Sequence, residues 1–324
     1  MELHKKLKRI ATSVLLLGWS VAAIAQNTIE SRKSQITFIY PLGTNGANSL
    51  DYTNKLSFNL LMGLNGGVNG FEFGGLVNYN KGDVRGFQFG GLANINTGSV
   101  RGIQISGITN IANTNSEGFQ MGLANITKGE YKGLQLGLFN YSRRLNGIQF
   151  GLINVSDSIS SGTPIGLINV VKNGYYAVEV SGGETLLANT SFKFGVREFH
   201  TILKTGYSRF QGENVYSAGL GFGSLFSFAK KHGISLELSG NNILYKGKWD
   251  GLNILGKLDI NFQYALNDRF KIVAGPSLNT YITDQEVDGT FGTLNIPYTI
   301  FEDSNDERMI SAWVGFNLGI AITL

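Results

Sequence analysis

Apolar and polar residues alternate singly along most of the chain, which is the period of a β-strand and not of a helix. In "GIQFGLIN" (147–154), Ile148, Phe150 and Leu152 fall on one face, and Gly147, Gln149 and Gly151 on the other. Related phrases stand at 70–78, "GFEFGGLVN", and at 86–94, "GFQFGGLAN". Seven glycines open such units: Gly70, Gly86, Gly102, Gly118, Gly133, Gly147 and Gly162, spaced 16, 16, 16, 15, 14 and 15 residues apart. Asn closes each unit, at Asn78, Asn94, Asn110, Asn125, Asn140, Asn154 and Asn169, with Leu or Ile two residues before it. An acid-or-amide column runs through Glu72, Gln88, Gln104, Gln120, Gln135 and Gln149. Pro164 breaks that column in the last unit, as a capping repeat would. "NKGD", "NTGS" and "TKGE" separate units, and Gly there supplies the positive φ of a tight turn. Each unit therefore reads as strand plus turn.

Two architectures fit. Each unit is either one strand of an antiparallel barrel or one coil of a β-solenoid, with corners at the inner Gly and at the Asn-x-Gly segment. The first three units carry an extra residue at the inner corner (Gly74-Gly75, Gly90-Gly91, Ser106-Gly107). An insertion at a corner is harmless, whereas in mid-strand it turns every later side chain to the other face unless a bulge absorbs it. Stacked coils would also align the Asn and Gln columns as hydrogen-bonded ladders. The solenoid is the favoured of the two.

The flanks predict a different unit. In 251–264, "GLNILGKLDINFQY", Leu252, Ile254, Leu258, Ile260, Phe262 and Tyr264 oppose Asn253, Lys257, Asp259, Asn261 and Gln263. In 311–324, Val314, Phe316, Leu318, Ile320, Ile322 and Leu324 oppose Ser311, Gly315, Asn317, Gly319 and Thr323. An apolar face outward and a charged face inward is the pattern of a strand around a wet lumen, which Lys257, Asp259, Asn261 and Gln263 would line. Connections at 229–233 and 266–269 are short, while 240–250 and 283–308 are long and polar. Tyr207, Tyr216, Tyr245, Trp249, Tyr281 and Trp313 fall near strand ends, where an interfacial aromatic belt would lie. Flanking strands are expected at 34–41, 54–64, 175–184, 190–197, 199–208, 215–228, 234–244, 251–264, 270–283 and 309–324. That makes ten, the even count of bacterial barrels; seven single-strand repeats would make seventeen.

Residues 1–25 change the charge argument. Lys5, Lys6, Lys8 and Arg9 precede a short apolar core, and Ala23-Ile24-Ala25 is an A-x-A cleavage pattern, so a secretory signal is expected to end there. Without it, 27 − 4 = 23 Lys+Arg stand against 23 − 1 = 22 Asp+Glu, a net of +1. The basic isoelectric point is thus a property of the leader and not a nucleic-acid footprint. No cysteine is present, so neither a disulfide framework nor a thiolate metal site is open to an exported chain.

Candidate chemistry is thin. "GLNILGKL" (251–258) matches G-x-x-x-x-G-K but lacks the Ser/Thr for Mg²⁺ and lies in a strand. "GLGFG" (219–223) lacks the helix that a dinucleotide site needs; close packing in a strand explains its glycines. His200 would be catalytic only with Ser and a carboxylate in contact, and His232 sits in the turn "KKHG". The Asn column without carboxylates is a poor Ca²⁺ site and reads as a structural ladder. Asp284, Glu286, Asp288, Glu302, Asp303, Asp306 and Glu307 crowd the last long loop, which reads as solvated and self-repelling. No catalytic, cofactor or metal residue is assigned.

With its leader, alternating strands and amphipathic last strand, the segment 190–324 resembles Gram-negative outer-membrane β-barrel proteins. The chain departs from that pattern in ending on Leu324 where such barrels usually end on Phe. Residues 65–174 resemble uncharacterised bacterial surface-repeat proteins with G-x-Q-x-G-L-x-N units. The expected fold is all-β: an antiparallel outer-membrane-type barrel with a Gly-rich β-repeat array of 14–16-residue units, as a β-solenoid or as additional barrel hairpins. The expected organisation is a signal peptide at 1–25, N-terminal barrel strands at 26–64, the array at 65–174 and C-terminal barrel strands at 175–324. The resemblance implies a non-enzymatic integral outer-membrane or surface protein with a structural, pore or adhesion role. Its partners would be outer-membrane lipid and the barrel-assembly machinery, without nucleic acid or cofactor. The alternatives are a barrel-embedded hydrolase using His200 and a secreted, soluble β-repeat adhesin.

Overall fold

The computed structural model describes residues 30–324. The expected signal segment and its cleavage site lie outside the described residues. Two β-units follow one another, a parallel solenoid and an antiparallel barrel.

The repeats are coils. Successive units pair in parallel and in register, Gly on Gly and Asn on Asn: Gly86 lies between Gly70 and Gly102, and Asn94 between Asn78 and Asn110. Each coil bends at its inner glycine, so its two halves belong to two sheet faces. One face stacks Gly67–Gly74, Val84–Gly90, Val100–Ser106 and Ser116–Met121; the other stacks Val77–Asn80, Ala93–Asn96 and Thr109–Ala112. The extra residue of the early units sits at that bend, where it disturbs no alternation. The opening glycine is required by crowding throughout, and from Gly70 to Gly133 by a positive φ as well. Gly102 has φ +136°, and a Cβ there would lie 1.9 Å from the carbonyl oxygen of Gly86 in the coil before.

The N-terminal strands correct the expected organisation. Residues 34–41 and 54–64 belong to the array and not to the barrel: Glu30–Ile39 pairs in parallel with Tyr52–Asn65, which in turn pairs with Gly67–Gly74. Alternation alone does not distinguish a coil from a barrel strand, and 52–65 lacks the repeated phrase. Its inward residues Asn54, Ser57, Asn59 and Asn65 nevertheless continue the polar core of the coils.

The barrel has eight strands: Tyr175–Gly183, Ala188–Gly195, His200–Phe210, Glu213–Ser227, His232–Tyr245, Asn253–Ala265, Phe270–Thr283 and Met309–Thr323. Each pairs antiparallel with the next, and the last returns to the first, with Val180 opposite Ile320. The count stays even after the correction. Short connections at 196–199, 228–231 and 266–269 mark one end. At the other end the strand His232–Tyr245 runs further than expected, so the loop there shrinks to 246–252, and only 284–308 is long. The array meets the barrel at the short-turn end. There Thr201 Oγ1 donates to the Leu167 carbonyl at 2.9 Å, and the Tyr176 hydroxyl to that of Val171 at 2.8 Å.

Candidate functional site: the filled lumen and the amide ladders

Both units bury polar side chains and expose apolar ones, the reverse of a protein folded around a hydrophobic core in water. In the barrel, Asn253, Leu255, Lys257, Asp259, Asn261 and Gln263 of one strand point inward, while Ile254, Ile260 and Phe262 are exposed on the outer wall. Lys257, Asp259, Asn261 and Gln263 are at most 4% exposed, so the lumen around them is packed with side chains. An eight-stranded barrel is just wide enough to be filled in this way.

The filling is layered. Next to the long-loop end lies an apolar cluster of Leu186, Val215, Ile243, Leu255, Tyr281 and Trp313, closed by Leu294, which the loop 284–308 folds back into the mouth. Tyr281 and Trp313, expected on the aromatic belt, are lumen residues instead. Strand parity turns them inward, where the Tyr281 hydroxyl bonds Asn253 and Trp313 Nε1 donates to Glu184 at 2.8 Å. Tyr207, Tyr216 and Trp249 are exposed, whereas Tyr245 is half-buried against the cluster. Glu184 also accepts from Asn279 Nδ2 at 3.0 Å and from the Phe316 amide at 2.9 Å.

Below this cluster come the charges. Glu237 and Asp259 are direct cross-strand partners, a like-charge pair that needs counter-ions. Lys193 supplies one: its Nζ lies 2.6 Å from Glu237 and 2.7 Å from Glu179. Lys204 lies 3.2 Å from Asp259, and Lys257 3.7 Å from it. Three lysines thus neutralise most of the charge of four carboxylates (Glu179, Glu184, Glu237, Asp259). The glycines of "GLGFG" make the room: a Cβ on Gly223 would stand 2.9 Å from Glu237 Cγ, and one on Gly219 2.2 Å from Asn241 Oδ1. "GLNILGKL" lies mostly within the strand Asn253–Ala265 and forms no loop around a phosphate.

Sequence reasoning missed Glu179, Glu184, Lys193, Lys204 and Glu237. The signal was present for two of them: in "YYAVEVSGG", Glu179 shares the parity of Tyr175 and Ala177, and Lys193 falls opposite Ala177 on the neighbouring strand. His200 is 1% exposed at the short-turn end, its ring edge-on to Tyr175 at 5.1 Å. Neither ring nitrogen has a hydrogen-bond partner among the described residues, so no Ser–His–carboxylate contact is assembled. His232 joins an aromatic cluster with Phe228, Phe262 and Tyr264. Among the described residues, the acidic side chains of 284–307 do not converge on a metal-binding group.

In the array the two amide columns are fully buried ladders. Asn78 Nδ2 donates to Asn94 Oδ1 at 2.9 Å, and the same bond continues through Asn110, Asn125, Asn140 and Asn154 to Asn169. The second N–H of each of these side chains from Asn78 to Asn140 goes to a carbonyl of the next coil, such as Phe89 O at 2.7 Å from Asn78. The Gln ladder runs the other way. Gln149 donates to Gln135, Gln135 to Gln120, Gln120 to Gln104 and Gln104 to Gln88, at 2.6–2.7 Å. Gln88 donates to Glu72 at 2.8 Å. Glu72 also accepts from Asn65 (2.6 Å), Asn59 (3.2 Å) and Asn80 (2.7 Å). Burial pushes its carboxyl up to about 7 against the opposing pull of these four bonds. Pro164 stands in register with Gln149 and ends the column. No family model, curated protein or solved structure matches this chain.

Proposed function

We propose that the chain is an integral outer-membrane protein with a structural role, a plugged barrel that anchors a rigid repeat array at the membrane. The observation that carries this reading is the sidedness of the barrel wall. Leu238, Phe262, Phe316 and Leu318 are exposed outside, while Lys193, Glu237, Lys257 and Asp259 are buried inside. In water that arrangement leaves a large apolar belt unsatisfied; around a barrel in lipid it is the stable one. Closure supports the reading, because every strand is paired and no sheet edge would face hydrocarbon. The lumen favours an anchor over a pore: the Lys193 and Lys204 ion pairs cross it, and Leu294 and Trp313 close its mouth.

The reading is tested by fractionation and by heat-modifiable gel migration. The protein is expected to stay with the outer membrane through a carbonate wash and to migrate faster before boiling than after. Phe316→Arg places a charge on the outer wall and is expected to cost roughly 2–4 kcal/mol if that wall lies near the bilayer midplane. Recovery of the wild type as a soluble protein, or full tolerance of Phe316→Arg, refutes it.

A further inference from the structure

We propose that the repeat array itself is a membrane-inserted wedge: its leucine edge dips into the phospholipid leaflet on the short-turn side of the barrel, without crossing it. This rests on the membrane reading of the barrel and goes beyond it.

Four observations converge. The first is the edge. Each coil presents one Leu or Ile at its inner corner, and Leu92, Ile108, Leu123, Leu138, Leu152 and Leu167 form an exposed row; Leu138 is 58% and Leu123 52% exposed. The second is charge segregation. From the residue after the opening glycine to the residue after the closing Asn, no charged side chain points outward. The outward charges, among them Asp83, Arg85, Arg101, Glu117 and Lys132, occupy the opposite edge, where Glu117 bridges Arg101 at 3.4 Å and Lys132 at 3.6 Å. The apolar part spans about four residues of each strand, roughly 13 Å at 3.3 Å per residue. That matches about half of a ~30 Å hydrocarbon core.

The third observation concerns the backbone. A corner facing water leaves amides for the solvent, but a corner facing hydrocarbon must satisfy them within the protein. Here the corner amides bond from coil to coil: Leu92 to Leu76 at 2.8 Å, Ile108 to Leu92 at 2.9 Å, Phe139 to Leu123 at 2.9 Å and Ile153 to Leu138 at 2.9 Å. The Asn side chains take up further carbonyls just inside the corner, such as Ile105 O, Met121 O and Leu136 O. The fourth is continuity. The last coil is bonded to the barrel through Leu167 O and Val171 O, which holds that end of the leucine row beside the barrel. Between the leucine row and the adjoining face, a shallow groove lined by Met121, Leu123, Leu136, Leu138, Phe150 and Leu152 suits a lipid acyl chain.

The chain contains no cysteine, so a single introduced thiol is unique. Full-length Leu138→Cys, Leu123→Cys, Thr114→Cys and Leu238→Cys variants would carry an environment-sensitive fluorophore. They would be reconstituted in phosphatidylethanolamine–phosphatidylcholine vesicles containing brominated phosphatidylcholine. Labels at Leu138 and Leu123 are expected to lose emission to the brominated lipid as fully as the label at Leu238 on the barrel wall. The label at Thr114, on the charged edge, is expected to lose emission only to aqueous iodide. If Leu238 is quenched by lipid but Leu138 and Leu123 respond to iodide, the wedge is overturned and the barrel reading stands. Shielding of Leu138 and Leu123 from both quenchers overturns it in favour of contact with a second copy. If Leu238 is not quenched by lipid, the barrel reading falls and the wedge falls with it.

Discussion

Glu72 is a carboxyl in a column of amides, and replacing it with Gln isolates what its charge does. Two effects compete at this site. Full burial disfavours the ionised form, whereas four donors, from Asn59, Asn65, Asn80 and Gln88, favour it. Burial wins, so the folded group holds its proton up to about pH 7 against an ordinary value of 4.5. The native state therefore binds more protons than the opened state between those two values. Glu72's contribution to stability is full below pH 4.5 and is lost as pH rises through about 7. At about 1.4 kcal/mol per pH unit, the loss amounts to roughly 3 kcal/mol, or about two decades in the local opening constant. Glu72→Gln does not titrate. Its amide brings two N–H donors in place of the single O–H of the protonated acid, and flips at Asn59 or Asn65 supply acceptors at a pH-independent cost. The assay is hydrogen exchange of residues 67–97 in the full chain, with wild type and variant compared at each pH so that intrinsic exchange rates cancel. The protection of the variant relative to wild type is expected to rise about a hundredfold from pH 4 to pH 8. A flat ratio, or wild type gaining protection as pH rises, would show that the four donors hold the carboxylate ionised and that burial does not dominate.

Gly102→Ala puts a Cβ 1.9 Å from the Gly86 carbonyl at φ +136° and is expected to cost several kcal/mol, read as loss of exchange protection in the coils on either side. Lys193→Met leaves Glu179 and Glu237 buried without a counter-charge, for about 3–5 kcal/mol. Measured by urea unfolding in detergent, most of that loss should return when both carboxylates are also made Gln. Deleting 86–101 removes one internal coil and should leave heat-modifiable migration intact, as should deleting 86–117. Loss of the barrel in the single deletion but not in the double would contradict a stack of interchangeable coils.

Much of the fold was legible because alternation of period two is a direct image of which side chains face inward. The eight barrel strands emerge within a few residues of their expected bounds, and the corner insertion at Gly74-Gly75 separates a coil from a membrane strand. What stayed hidden is long-range. Nothing local distinguishes 54–64 as a coil from 54–64 as a barrel strand, since both need alternation; only parallel pairing with 67–74 decides. Tyr281 and Trp313 were placed by their nearness to strand ends, but parity, not position, sets their side of the wall. The lumen ion pairs join residues such as Lys193 and Glu237, 44 positions apart, so no window on the sequence contains both.

The ladder ends explain why units that look alike are not equivalent. A row of amides donating in one direction carries a dipole, and its last N–H must find an acceptor outside the row. The Gln row finishes on Glu72, whose Oε2 accepts from Gln88, and the Asn row finishes where Asn169 Nδ2 donates to the Gly166 carbonyl at 2.9 Å. At its other end the Gln row begins at Gln149, whose Oε1 accepts from Ser156 Oγ at 3.1 Å. Pro164 supplies no further donor there. Because the two rows run in opposite directions, their dipoles oppose one another and the array gains no large field along its axis. An internal coil contributes one link to each row and can be removed, with Gln104 taking the place of Gln88 on Glu72. Removing the coil that holds Glu72 would set Gln88 against the Asn59 and Asn65 side chains, the same amide-for-carboxyl exchange that Glu72→Gln makes in place, and would require the same flips. The acid at the head of the column is thus what joins the repeated coils to the Asn-rich coil of 52–65 before them.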